Sequence, residues 1–210
     1  THLRILEWIF TPEEADLASQ LKLRGETLDE LAKRLNLPKE DLESRLDVMI
    51  SKGQISSWIS KSAGARKYAL LPFAVGIFEE QLVRMDEELA RMLDSYFQIG
   101  FKKITATEPV IFKVIPVNQS LSSDLNVHPY EQAEQLLENA ASWGVRECIC
   151  KKQKALIGEP CSYPTTVCLV FAKNRVDAFE HDALTKTITK EESLRLLKDA
   201  ENAGLVHCSY

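Results

Sequence analysis

Short amphipathic segments follow one another along the first fifty residues, and polar residues mark where each begins. Thr11-Pro12-Glu13-Glu14 is a capping box with proline at the first helical position, and Leu17, Leu21 and Leu23 follow at helical spacing up to Gly25. Thr27-Leu28-Asp29-Glu30 is a second capping box, opening a short helix that stops at Asn36. Pro38 starts a third helix, with Leu42, Leu46, Met49 and Ile50 on one face and Gly53 at its end. The pattern then becomes strand-like over Gln54–Ser60 and Arg66–Leu71, with SAGA between them as a hairpin loop. Beyond Pro72 an amphipathic helix is predicted from Leu89, Met92, Leu93, Tyr96 and Phe97. The run VIFKVIPVN reads as a strand, and a helix starting near Pro129 carries Ala133, Leu136, Leu137 and Ala140, with Gly144 as its C-cap. VRECICKK and TTVCLVF read as strands, and a last helix is capped by Thr189 and Glu192 and stopped by Gly204.

This order predicts an α+β protein in three stretches. Residues 1–71 form a winged-helix-like domain, since three helices followed by a hairpin are similar to that variant of the helix-turn-helix. Residues 72–106 are a linker and bridging helix, and residues 107–210 form a small α+β domain. The third helix would be the DNA reader of a winged helix. It carries Glu40, Asp41, Glu43 and Asp47 against Lys39, Arg45 and Lys52, an acidic balance that phosphates repel. Lys61, Arg66 and Lys67 give the wing a thin basic footprint. A net charge of −5 over 210 residues also weighs against nucleic acid as the main partner, without excluding it. The chain has no apolar run long enough to span a membrane, and its first residues lack the marks of a signal peptide. A reducing, cytoplasmic setting is therefore expected.

The candidate chemistry lies in one stretch. Of the 5 cysteines, Cys148, Cys150, Cys161 and Cys168 fall within ECICKKQKALIGEPCSYPTTVCLVF. Thiolates bind zinc, copper(I) or iron–sulfur clusters. On an extended segment Cys148 and Cys150 would point to one face. The basic loop from Lys151 to Pro160 would then fold back and bring Cys161 to the same centre. Lys151, Lys152 and Lys154 favour the thiolate form. The spacing matches neither the Cys-x2-Cys pairs of zinc ribbons nor the run of bacterial ferredoxins. An iron–sulfur cluster, a structural zinc site, and free or disulfide-bonded thiols therefore all stay open at this point. Cys208, beside His207, is a reserve ligand, and His181 beside Asp182 reads as a surface histidine. No Ser/His/Asp grouping, phosphate-binding glycine loop or Cys/His nucleophile pattern is present, so an electron carrier or accessory subunit is expected rather than an enzyme.

LPFAVGIFEEQLVRMDEELARMLDSYFQIGF, VIPVN, the cysteine stretch and TKEESLRLLKDAENAGLVHCSY, in that order, resemble a group of multidomain 4Fe-4S ferredoxin-type proteins. Those proteins have an N-terminal winged helix, a Cys-x-Cys…Cys…Cys module and a C-terminal two-cluster ferredoxin domain. The resemblance implies electron transfer in anaerobic metabolism with redox proteins as partners. It implies a [4Fe-4S] cluster on Cys148, Cys150, Cys161 and Cys168. Two positions depart from the pattern: Lys151 stands where an arginine is usual, and Thr166 where an acidic residue is expected. The two-cluster domain would begin near Tyr210 and has no counterpart in this sequence. The rival expectation is a winged-helix regulator whose four-cysteine site senses iron, redox state or zinc. A third is an interaction module with structural zinc. Self-association is left open.

Overall fold

The computed structural model describes residues 2–60, 63–101, 113–114, 133–180 and 182–209. The chain divides into two compact units, Thr1–Tyr96 and Phe97–Tyr210. Both contain helices and small antiparallel sheets, which makes the protein α+β.

The first unit runs α1 (His2–Ile9), α2 (Pro12–Ser19), β1 (Glu26–Thr27), α3 (Leu28–Leu35), α4 (Lys39–Ser51), β2 (Ile55–Ser60) and β3 (Ala65–Leu70). Both predicted capping boxes form. The Thr11 amide donates to Glu14 at 2.9 Å and the Thr27 amide to Glu30 at 2.7 Å, while each threonine hydroxyl accepts from the amide three residues on. Asn36 closes α3 in the left-handed conformation, φ 55°. α2 stops at Ser19, short of Gly25, because the chain then turns to meet the sheet, where the Lys22 carbonyl accepts from the Leu70 amide at 3.1 Å. Leu21 is buried there, and Leu23 points outward. β3 lies between β1 and β2, with the hairpin in register from Ile55 opposite Leu70 to Ser60 opposite Ala65.

α1 and β1 were not expected. α1 has no capping signal, yet it buries Ile5 and Ile9. A short turn, α5 (Phe78–Glu80), precedes α6 (Glu87–Tyr96), the amphipathic helix expected as a bridge; it packs on α1 and buries Leu89 and Leu93. Gln81 is wholly buried and donates to the carbonyls of Lys52, Gly53 and Ile77 at 3.1–3.2 Å, which satisfies the end of α4.

The second unit contains β4 (Lys113–Val114), α7 (Ala133–Glu138), β5 (Ser142–Arg146), α8 (Ile149–Leu156), β6 (Cys168–Ala172), β7 (Lys186–Ile188), α9 (Lys190–Asn202) and β8 (Cys208–Ser209). β5 is the central strand of a sheet ordered β6-β5-β7, and β4 pairs with β8. Leu137 and Leu197, from α7 and α9, pack with Trp143, Leu169 and Phe171 of the sheet. The predicted box at Thr189 and Glu192 caps α9. Most of the VIFKVIPVN strand, and the helix start near Pro129, lie outside the described residues.

Two expectations are corrected here. Gly144 is not a helix cap but the middle of β5, opposite Val170 and Thr187. The VRECICKK strand ends at Arg146, and residues from Ile149 onward are helical. Among the described residues, no helix is long and apolar enough to cross a membrane.

Candidate metal centre

The strand-to-helix turn after β5 builds the site. The ladder to the neighbouring segment continues one step past the strand, where the Cys148 amide donates to the Thr165 carbonyl at 2.7 Å. Cys148 then takes the N-cap position of α8, with extended backbone angles, and Cys150 falls in the first turn of the helix. The KKQKAL run is made of residues with good helix propensity, which favours helix over strand once the ladder is exhausted. Cys148 and Cys150 therefore share a helix terminus rather than a strand face. An N-cap side chain leans back over the first turn, so the Cys-x-Cys spacing still brings the two sulfurs together. The predicted basic loop is mostly this helix, followed by a turn at Gly158 with φ +87°.

Cys168 is the first residue of β6 and lies opposite Arg146, two residues before Cys148. Its thiol thereby reaches Cys148. The neighbouring Cys150 and Cys168 thiols, then the backbone at Lys151 and Cys150, lower the Cys148 thiol well below the usual range, against the upward push of burial. The helix N-terminus adds a positive field in the same sense.

Cys161 is exposed on the segment between α8 and β6. That segment is fastened to α8. Lys154 pairs with Glu159 at 2.8 Å, and the Lys151 ammonium donates to the Pro164 carbonyl while lying 5.6 Å from the Tyr163 ring centre. Cys150 and Cys168 each neighbour Cys148, and Cys161 lies on a loop tied to the same helix. None of the four is in a disulfide. Among the described residues, no group of three or more His, Cys, Asp or Glu side chains is set around one point as a metal would require. The donor chemistry nonetheless fits a thiolate-bound centre: soft ligands, one already biased to its anion, at a helix terminus that favours negative charge.

A polar cluster flanks the site that the sequence reading did not single out. Arg146 donates from Nε to the Thr185 hydroxyl at 2.6 Å and forms an ion pair with Asp182. Thr185 in turn donates to Asp182 at 2.7 Å, and the Leu184 amide donates to the other carboxylate oxygen at 2.9 Å. Burial pushes the Asp182 carboxyl up, but Thr185, Leu184 and Arg146 outweigh it and hold the group below the usual range. The one available signal was an arginine two residues before the first cysteine, at the end of an otherwise apolar strand. His207 is half-buried, its Nε2 has no hydrogen-bond partner among the described residues, and burial lowers its pKa. His181 and the side chain of Cys208 lie outside the described residues.

Compared with known protein families, curated proteins and solved structures, the chain finds no match.

Proposed function

We propose that this chain is an iron–sulfur electron-transfer protein, or part of one, in which Cys148, Cys150, Cys161 and Cys168 hold a [4Fe-4S] cluster. The observation that supports the reading is that the Cys148 thiol, at the N-terminus of α8, is neighboured by the thiols of Cys150 and Cys168, with Cys161 on a loop pinned to that helix. Bound there, the cluster would accept and donate one electron. The protein's part is to supply anionic sulfur, to orient it from a strand end and a helix end, and to surround it with backbone amides. Redox proteins are the partners this implies, in a reducing cytoplasmic setting.

Residues 1–71 are read as a winged helix, on α2, α3 and α4 followed by the β2–β3 hairpin, with β1 completing the sheet and α1 preceding them. Its surface does not favour the regulator reading. The outer face of α4 presents Glu40, Glu43 and Asp47 around Val48. Arg66 on the wing is tied to Asp47 at 2.8 Å and to Ser57 at 3.2 Å, and lies over the Tyr68 ring, so its charge is already engaged. A protein-contact or structural role suits this surface better.

The test is iron and acid-labile sulfide content, with a visible spectrum, on protein purified without oxygen. Iron and sulfide at about four each per chain, with a broad band that bleaches on reduction, are expected. Cys148→Ser should abolish both, and Cys208→Ser should leave both intact. Zinc without sulfide or colour in anaerobic protein would replace this reading with a structural site.

A further inference from the structure

The four-thiol site has an unequal member. Cys148, Cys150 and Cys168 are placed by regular structure, a helix terminus and a strand end, whereas Cys161 is placed by a loop. What holds that loop decides whether the fourth thiol is available.

Residues 148, 151 and 154 are spaced three apart, so they lie along one side of α8. Each fastens the returning segment: the Cys148 amide to the Thr165 carbonyl, Lys151 to Pro164 and Tyr163, and Lys154 to Glu159. The two lysines are three helical residues apart, a rise of about 4.5 Å. Their anchor points on the loop, Glu159 and Pro164, are five residues apart and could be separated by roughly 17 Å in an extended chain. Cys161 lies between these two anchors. Pro160 and Pro164 bracket it and restrict the backbone there. Tyr163 is backed from the other side by the turn at Gly204, where an added Cβ would lie 3.9 Å from the ring.

We propose that Lys151 is the positioning residue for the fourth ligand: by gripping Pro164 and Tyr163 it latches the Cys161 loop to the helix that carries Cys148 and Cys150. An ammonium suits the task. It gives one hydrogen bond to a carbonyl and a second, electrostatic contact to a ring face, and it adds positive charge beside a set of thiolates. Without Lys151 the segment keeps the exposed Lys154–Glu159 pair and the Cys148–Thr165 backbone bond, and the stretch between them that carries Cys161 loses its middle hold. The inference rests on the four-thiolate reading for its biological meaning, but the latch itself belongs to the metal-free chain and can be tested there.

The experiment compares wild type, Lys151→Ala and Lys151→Arg as full chains prepared without oxygen. In metal-free protein treated with a mild thiol oxidant, peptide mapping should show disulfides joining Cys161 to the other three cysteines. Their yield should fall severalfold in Lys151→Ala and recover in Lys151→Arg, which keeps the charge, the donor and the ring contact. In cluster-loaded protein, Lys151→Ala should hold about three irons per chain and show the paramagnetic resonance of an oxidised three-iron cluster, while Lys151→Arg stays at about four and silent when oxidised. Unchanged disulfide yields in Lys151→Ala, with four irons retained, would overturn the latch. Wild type without iron or sulfide would overturn the cluster reading instead, and the disulfide yields would still decide the latch.

Discussion

Glu26 shows why a charge can stay inside the first unit. Its side chain is only 12% exposed, yet Arg34 meets it with two bonds at 2.8 and 2.6 Å and Lys22 with one at 3.0 Å. The Arg34 hydrogen bonds hold the carboxyl below its ordinary range, while burial works the other way. A lowered carboxyl stabilises the fold above the pKa of the unfolded chain, and that contribution is lost as pH falls through the folded value. Thermal melts should therefore be level near neutrality and drop in the acid range. Glu26→Gln should cost about 1.5–3 kcal/mol at neutral pH and flatten the acid drop. Equal melting of variant and wild type at pH 7 would show that the pair adds nothing. This contact was not legible in the sequence, because residues 26 and 34 belong to different elements and meet only when β1 lies against α3. The cysteines were legible in the sequence as a closely grouped set of thiols. Their conformation was not: an i, i+2 spacing suits a strand and equally suits a helix entry, and the deciding fact is that β5 runs out of partners at Arg146.

At the scale of elements, what could be read were the boundaries written in side-chain chemistry. Thr11, Thr27 and Thr189 all cap helices, because a hydroxyl followed three residues later by glutamate satisfies exposed amides wherever it occurs. Elements held by tertiary contact alone were missed. α1 has no cap and forms because Ile5 and Ile9 are covered. Gly144 was misread for a related reason: glycine ends helices, but it also marks places where a strand is approached closely. A Cβ at Gly144 would lie 2.3 Å from Thr185 Cγ2 and 3.1 Å from Val170. Thr185 cannot swing aside cheaply, since its hydroxyl is committed to Arg146 and Asp182. Gly144→Ala should destabilise the second unit by about 1–3 kcal/mol through overpacking, read by denaturant unfolding. It should also loosen the Arg146 cluster, so a variant with wild-type stability would mean that β7 shifts easily and that the cluster is not rigid.

For the whole molecule, the order of elements conveyed the α+β class, and all five cysteines fall in the second unit. The first unit contains none of the cysteines and buries Ile5, Leu17, Leu31, Leu42, Leu46, Met49, Tyr68, Leu89 and Leu93, a core that needs no metal. In the second unit the described residues bury Ala133, Leu137, Val145, Ile149, Ile188, Leu197 and Ala200. A metal centre that binds only the folded chain contributes its binding energy to folding. Removing iron with a chelator under anaerobic conditions should therefore act on one unit. Amide exchange should speed up across 148–171 and spread into β6, while α3 and α4 keep their protection. Loss of protection in both units together would show that they unfold as one. No change in either would show that the thiol site carries no part of the fold, and would count against the proposed cluster in favour of a loosely held ion.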